Sequence, residues 1–250
     1  MNGELVQMHK FFVETEQINN NKIKIVNEDY NHIANVLRMK NGDSVLITNK
    51  KSQETFNCKI EKITANEVIC NIINVENKNV EMNVNVDIFQ GLPKADKMEY
   101  IIQKCVEIGV HKIIPVNMKY CIAKIKDEEK KNIRWNKIAE VAAKQCKRNV
   151  IPKIEKSINI NQLCCELKNY DLVILAYENE ENITIKTVLK ENKNAKNIAV
   201  IVGPEGGLSA DEVLMLKDEG AKVVSLGSRI LRTETAPIAA LSMILYEYEL

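Results

Sequence analysis

Two glycine-containing turns in the last third of the chain decide the fold class. They read Gly203-Pro204-Glu205-Gly206-Gly207-Leu208-Ser209 and Leu226-Gly227-Ser228-Arg229-Ile230-Leu231-Arg232-Thr233-Glu234-Thr235-Ala236-Pro237. Each turn follows a β-branched apolar run and leads towards a helix. The run at 198–202 is short and unbroken, which is typical of a parallel strand buried on both faces. Because backbone amides and helix N-termini converge at the carboxyl ends of parallel strands, the turns predict a ligand site in an α/β sheet.

Strands and helices alternate from residue 83 to these turns, which predicts a mostly parallel sheet with helices on its faces. A helix is predicted to open at a capping box from Asp96 to Glu99 and to end at Gly109. A second capping box, from Ser209 to Glu212, opens the helix that Gly220 closes. Further strands are expected at Asn83 to Phe89, His111 to Val116 and Asp171 to Tyr177, with a basic amphipathic helix at Lys130 to Lys147.

The first 75 residues follow a different pattern, with short β-like runs separated by Asn, Gly and Asp turn signals. One helical stretch, Glu28 to Met39, interrupts them. This pattern predicts a small β-barrel or sandwich. We therefore expect a boundary in the polar segment that begins at Glu76, with one domain at residues 1–75 and a second at 76–250.

Composition narrows the class of protein. The seven cysteines lack the paired spacing of a zinc site and the three histidines are dispersed, so we expect no metal centre and a reducing, cytoplasmic environment. No apolar run approaches membrane-spanning length, so we expect no membrane association. Lysine dominates the basic residues, and arginine occurs only at positions 38, 134, 148, 229 and 232. In such a chain arginine is favoured where a planar, bidentate donor matters.

Neither turn matches a common nucleotide-binding motif. A phosphate-binding loop would end in Gly-Lys-Ser/Thr, and a Rossmann fingerprint would place Gly-x-Gly-x-x-Gly early in the domain. Asp211 and Glu212 have a sufficient explanation in complementing a helix dipole. The cluster in the second turn, with two arginines, two threonines and a glutamate before Pro237, is poorly explained as a merely salt-bridged loop and indicates function.

The two turns resemble the C-terminal signature of SPOUT-class RNA methyltransferases, specifically the small-subunit ribosomal RNA uridine-N3 methyltransferase family (methyltransferase E). Matching segments run back through the chain at 92–99, 103–109, 134–138, 142–148 and 32–38. The chain departs from the family pattern at His9-Lys10, where the family usually has an arginine. It departs again at Asn117-Met118-Lys119-Tyr120, where a Thr/Ser-Glu-Arg-Ser-like stretch is usual.

The resemblance implies an N-terminal PUA-like β-barrel that binds RNA, a C-terminal α/β domain with a deep trefoil knot, and a homodimer. It implies S-adenosylmethionine as the methyl donor and N3 of uridine 1498 in 16S ribosomal RNA of the small subunit as the acceptor. The residues expected to bind the donor are Leu175, Ala176, Gly203, Glu205, Gly206, Gly207, Leu226, Gly227, Ile230, Leu231, Arg232, Thr233, Glu234 and Ala236.

The reaction requires that the imide proton of uracil be removed while charge develops on the flanking carbonyl oxygens. Glu234 is the candidate base, Arg232 the candidate stabiliser and Glu205 the alternative base. Phosphate contacts are expected from Lys10, Arg38, Lys144, Lys147 and Arg148. Two other functions remain open: a non-enzymatic RNA-binding or ribosome assembly factor of the same fold, and a methyltransferase of this class acting on transfer RNA.

Overall fold

The computed structural model describes residues 8–249, and contacts divide the chain into two units. The first unit comprises the chain up to Glu81 together with Ala143–Ile151, and the second comprises Met82–Ala142 with the chain from Pro152 onward. The first unit thus ends at Glu81, a few residues beyond the predicted boundary. Contacts also add a later segment that the sequence analysis assigned to the second domain, because local patterns do not indicate which unit a segment packs against.

Six strands of the first unit form one sheet in the order β1-β4-β5-β6-β3-β2. The strands are β1 (His9–Val13), β2 (Ile18–Asn19), β3 (Lys22–Val26), β4 (Ser44–Asn49), β5 (Thr55–Ile63) and β6 (Glu67–Glu76). β1 pairs with β4 in parallel, and every other pair in this sheet is antiparallel. The alternation in β3 turns Ile23 and Ile25 inward, where they join Phe11, Ile47 and Val68 in one core. The sheet therefore curls around its own apolar interior.

The helix predicted from Glu28 to Met39 is shorter and irregular. A single α-helical segment, α1 (Asn27–Asn31), passes into a π-helical turn at His32–Val36, and Arg38 then adopts a left-handed φ of 52°. Ile33 is fully buried in the core of the sheet. Ile33 thus enters the core from a π-helical turn. The periodicity of the sequence does not indicate this irregular turn.

The second unit contains a parallel sheet in the order β10-β8-β7-β12-β11-β13, with β9 paired to β8. Its strands are β7 (Asn85–Gly91), β8 (Lys112–Asn117), β9 (Lys153–Ile154), β10 (Ile158–Asn159), β11 (Leu172–Ala176), β12 (Asn197–Val202) and β13 (Lys222–Val224). β12 has five successive buried residues, Ile198 to Val202, as predicted for a strand covered on both faces. The chain crosses from β12 past β11 to reach β13, so the two turns flank the same central strand.

Helices cover this sheet, and capping residues in the sequence mark the ends of some of them. They are α2 (Lys97–Ile108), α3 (Glu128–Gln145), α4 (Ile160–Glu166), α5 (Ile185–Glu191), α6 (Ala210–Asp218) and α7 (Ala236–Glu249). The capping box of Ser209 and Glu212 at α6 is confirmed, as is Gly109 at the end of α2 with a φ of 126°. The capping box predicted at Asp96 is wrong, since the Asp96 side chain makes no capping hydrogen bond, and Glu99 Oε2 accepts a 2.8 Å bond from Arg134 on α3.

Helix α7 is the most apolar element next to the turns. Pro237 lies in its first turn, where the missing amide hydrogen costs nothing. Ala240, Leu241 and Ile244 are fully buried, and the helix packs against α2, α5 and β12. Burial on several sides fixes the position of its N-terminus, where the second turn ends. Helices α4 and α5 were not predicted, since each is short and lacks a long apolar period.

The segment Ala143–Ile151 is tied to the first unit by buried polar contacts. The Arg148 guanidinium bonds the Glu81 carboxylate at 2.5 and 2.9 Å, and its side chain is only 7% exposed. Lys10 is buried, and its ammonium donates to Asn149 Oδ1 at 2.5 Å and to the Lys147 carbonyl at 3.1 Å. Burial lowers the pKa of Lys10 to about 8, although Glu81 acts in the opposite direction.

We expect Arg148→Ala to lower the free energy of unfolding of the protein by about 3 kcal/mol, because it leaves the Glu81 carboxylate without its buried partner. Chemical denaturation monitored by circular dichroism measures the change. The matched control is Arg38→Ala, since Arg38 is exposed in the same unit and should change stability by less than about 0.5 kcal/mol. Equal effects of the two substitutions would contradict a structural role for the Arg148 pair.

Candidate functional site

The register of the parallel sheet brings the ends of four strands to one edge. Val202 at the end of β12 lies opposite Ala176 of β11 on one side and Gln90 of β7 on the other. Ala176 in turn lies opposite Val224 of β13. The two turns therefore leave the same edge of the sheet, one on each side of β11. This edge is the candidate site.

The first turn approaches the end of β7 too closely for a side chain between them. A methyl group built on Gly91 would lie 2.6 Å from both Cδ and N of Pro204. Within the turn, the Gly207 amide donates to the Pro204 carbonyl at 2.9 Å, and Gly207 has a φ of 71°, which favours glycine. The turn thus presents mainly backbone to its surroundings.

A buried chain of hydrogen bonds joins the two turns. Thr233 donates its hydroxyl hydrogen to the Gly203 carbonyl at 2.7 Å, and it accepts from Gln90 Nε2 at 2.9 Å. Because the single hydroxyl hydrogen is already used, the amide nitrogen of Gln90 must face Thr233. Gln90 is fully buried, and its Oε1 atom has no hydrogen-bond partner among residues 8–249. One acceptor at the junction of the turns is therefore unsatisfied by the protein.

Lys97 at the start of α2 holds one carboxylate from each turn. Its ammonium lies 2.9 Å from Glu205 Oε1 and 3.0 Å from Glu234 Oε2. The Glu205 carboxylate also accepts the amide hydrogen of Lys94 at 3.1 Å. The three charged side chains are each between 18% and 29% exposed. Sequence analysis missed Lys97, because a lysine in the first turn of a helix is unremarkable until its partners are known.

These contacts set the charge state of the site. Partial burial raises the pKa of the Glu205 carboxyl, but hydrogen bonds from Lys97, its own amide and the Lys94 amide outweigh it, so the pKa lies below the ordinary value. The pKa of Glu234 is lowered in the same way, against burial, by its own amide, by Lys97 and by the charge of Arg232. The contacts with the Glu205 and Glu234 carboxylates raise the pKa of Lys97. The contact with Glu234 is an ion pair, since its Oε2 atom lacks a hydrogen bond of good geometry within the described part of the chain. At neutral pH the cluster contains one ammonium and two carboxylates.

The second turn is exposed at its centre and anchored at its end. Ile230 is 83% exposed, and Arg229 and Arg232 also reach solvent, whereas Leu231 is half-buried. The Arg232 carbonyl accepts the amide hydrogens of Thr235 at 2.8 Å and Ala236 at 3.0 Å, which starts α7. The backbone is thus fixed while the Arg232 side chain stays accessible.

The other residues predicted for the donor site gather at the same edge. Ala176 and Leu226 are half-buried, Gly227 is exposed with a φ of 128°, and Ala236 begins α7. Leu175 is fully buried in the core, so only its backbone can face a ligand. Their contact with a donor stays a prediction.

The residues predicted to contact phosphate fall into two groups. Lys10 and Arg148 are buried with protein partners, and the Lys144 ammonium pairs with Asp29 at 2.7 Å. Arg38 and Lys147 are exposed. A structural role accounts for the first group, so the structure gives their predicted RNA contact no support. Within residues 8–249, no helix combines the length and apolarity needed to cross a membrane, and no group of three or more His, Cys, Asp or Glu side chains could hold a metal ion.

Comparison with known proteins identifies the family. Residues 80–245 match the model of an RNA methyltransferase domain, and residues 25–73 match that of an RNA methyltransferase PUA domain. The ribosomal RNA small subunit methyltransferase E of Bacillus subtilis is 36% identical, over 97% of this chain and 98% of its own. The chain belongs to the methyltransferase E family. The member from Mesomycoplasma hyopneumoniae is 34% identical, over 94% and 98% of the two chains.

Solved structures confirm the fold of this family member. A Legionella pneumophila protein described as a methyltransferase, solved in complex with its bound cofactor SAM, is 30% identical with a TM-score of 0.86 over 96% of this chain and 98% of its own. A methyltransferase E from Neisseria gonorrhoeae, 24% identical, has the same TM-score and the same coverage of both chains. The predicted SPOUT α/β fold with a PUA-like N-terminal domain is therefore confirmed. The trefoil knot stays a prediction.

We expect Lys97→Met to raise the pKa of both Glu205 and Glu234, because it removes the ammonium that stabilises their ionised forms and leaves their burial unchanged. NMR titration of carboxyl carbon resonances in glutamate-labelled protein measures the two values. Lys104→Met is the control, because the Lys104 ammonium pairs with Glu107 on the same helix, 2.9 Å away. Unchanged values in Lys97→Met would contradict the bridging arrangement.

Proposed function

We propose that the protein is a cytoplasmic methyltransferase that transfers a methyl group from S-adenosylmethionine to N3 of uridine 1498 in 16S ribosomal RNA. Family membership supports the reaction class and a ribosomal RNA substrate. The observation that carries the chemistry is the pair of ionised carboxylates, Glu205 and Glu234, held by Lys97 at the edge where the two turns leave the sheet.

The residues at this edge fit the proposed donor. The first turn follows the carboxyl end of β12, where backbone amides can contact a ligand, and its glycines allow close packing against Leu208, Tyr120 and Glu178. Gln90 Oε1 is a buried acceptor that lacks a partner, and Ile230 is an exposed apolar side chain in an otherwise anchored turn. When bound, S-adenosylmethionine supplies the methyl group from its sulfonium.

Glu234 is the proposed proton acceptor. Methylation at N3 requires loss of the imide hydrogen of uracil, and a carboxyl group can accept that proton only in its ionised form. The lowered pKa of Glu234 keeps it ionised throughout the neutral range. Lys97 orients this carboxylate and remains paired with Glu205 when Glu234 takes up the proton. Lys97 is thus a positioning residue, and Glu205 is the alternative acceptor.

Arg232 is the proposed stabiliser of the uracil carbonyl oxygens. Negative charge develops on these oxygens as the imide proton leaves, and a guanidinium can donate hydrogen bonds to them. The side chain is exposed, while its carbonyl is fixed by two amides at the start of α7. Arg232 lies two residues before Glu234 in the second turn, and its charge contributes to the lowered pKa of Glu234.

RNA binding and dimerisation are further parts of the proposed function. The PUA domain is the proposed platform for ribosomal RNA, with Arg38 and Lys147 as the exposed candidates for phosphate contact. The active form is proposed to be a homodimer. Salt dependence of binding to small ribosomal subunits, compared between the unmodified protein and Arg38→Ala, tests the phosphate contact.

Glu234→Gln should lower the single-turnover methylation rate by about a hundredfold or more, because the amide cannot accept the imide proton. Rapid-quench measurements with radiolabelled donor and unmethylated small subunits, from pH 5 to 8, give the rate. Asp211→Asn is the control, since that carboxylate is 81% exposed and pairs only with Lys119 at 3.5 Å among the described residues. An undiminished rate in Glu234→Gln would remove this residue from the mechanism and leave Glu205→Gln as the next variant.

The proposed substrate is tested separately from the mechanism. Mass spectrometry of small-subunit RNA from cells with and without the gene should show loss of one N3-methyluridine, at position 1498. Calorimetry with S-adenosylmethionine distinguishes an enzyme from an assembly factor, which need not bind the donor. Methylation of transfer RNA, but not of small subunits, would contradict the proposed substrate.

A further inference from the structure

An exposed tyrosine lies beside the first turn. Tyr120 follows β8 and is 46% exposed, and Ile122, two residues later, is 70% exposed. This segment also contains one of the two departures from the family pattern, so its role is not explained by the family motif.

The backbone that presents Tyr120 is held on both sides. The Cys121 amide donates to the Met118 carbonyl at 3.0 Å, which closes a turn with Lys119 and Tyr120 at its centre. The Lys119 amide donates to Glu212 Oε1 at 2.7 Å, so the capping carboxylate of α6 also fixes this turn. Tyr120 is therefore displayed from a constrained backbone rather than from a loose loop.

Tyr120 packs directly against the first turn. A methyl group built on Gly206 would lie 2.8 Å from Tyr120 Cβ and 3.3 Å from its carbonyl oxygen. The absence of a side chain at Gly206 is what allows this contact. Because Gly206 adjoins Glu205 in sequence, Tyr120 lies against the turn that carries one of the two carboxylates.

The segment around Tyr120 also contains cations. Lys124 and Lys126 follow Tyr120 in sequence, and Lys119 precedes it but pairs with Asp211 at 3.5 Å. Exposed aromatic rings between cations bind single-stranded nucleic acid, because bases stack on the ring while cations contact the phosphates.

We infer that Tyr120 is a stacking platform for a base of the ribosomal RNA substrate, either the target uracil or its neighbour. This inference rests on the proposed function. It assigns to the Tyr120 side chain a contact with an unpaired base of the RNA substrate. Lys124 and Lys126 contact the adjoining phosphates. A base stacked on a ring fixed against Gly206 is held close to both turns.

Tyr120→Ala tests the inference, with Tyr120→Phe as the conservative variant. Cosedimentation with small subunits that lack the modification gives the RNA affinity, and calorimetry gives the affinity for S-adenosylmethionine. We expect Tyr120→Ala to weaken subunit binding about tenfold or more, as for other base-stacking aromatic residues. Tyr120→Phe should retain nearly full affinity, and donor affinity should be unchanged in both. Tyr246→Ala, which removes a 71% exposed tyrosine from α7, is the control.

Three results would overturn the inference: unchanged subunit affinity in Tyr120→Ala, an equal loss in Tyr120→Phe, or a parallel loss of donor affinity. The second would indicate the hydroxyl group instead of the ring, and the third would indicate collapse of the first turn. Binding is measured without turnover. A protein that binds subunits through Tyr120 but methylates no RNA would therefore contradict the proposed function and leave this inference intact.

Discussion

One ammonium between two carboxylates organises the candidate site. Lys97 contributes from the start of α2, Glu205 from the first turn and Glu234 from the second, so a single group joins three separate parts of the chain. Burial raises the pKa of each carboxyl group, and the shared ammonium acts against that effect. The register of the parallel sheet is a prerequisite, since it delivers both turns to the same edge.

Rigid and accessible parts of the site are separated. The buried chain from Gln90 through Thr233 to the Gly203 carbonyl fixes the two turns relative to each other. The side chains proposed to meet RNA, Arg232 and Tyr120, are exposed but stand on anchored backbone. Such pre-organisation limits the reorganisation that binding and proton transfer require.

Two of the basic residues predicted to contact RNA have a structural role instead, because they are buried. Lys10 and Arg148 resemble surface cations in the sequence, yet both are buried with partners in the first unit. Long cationic side chains can be buried when carboxylates, carbonyls and amides satisfy their donors. The prediction that arginine is kept where a planar donor matters fits Arg148, but its bidentate partner is Glu81.

The sequence by itself determined the alternation of strands and helices, the buried character of β12, the caps at Gly109 and Ser209, and the turns that hold the site. These features depend on interactions within a few residues, or on a burial pattern that is continuous in sequence. Tertiary structure alone decided the partners of Lys97, the position of Tyr120 against Gly206 and the return of Ala143–Ile151 to the first unit. It also decided the partner of Glu99, whose carboxylate accepts a hydrogen bond from Arg134 on α3 instead of completing a capping box at Asp96. Local patterns cannot indicate such contacts, since the groups involved lie far apart in the chain and meet only after the sheet has formed.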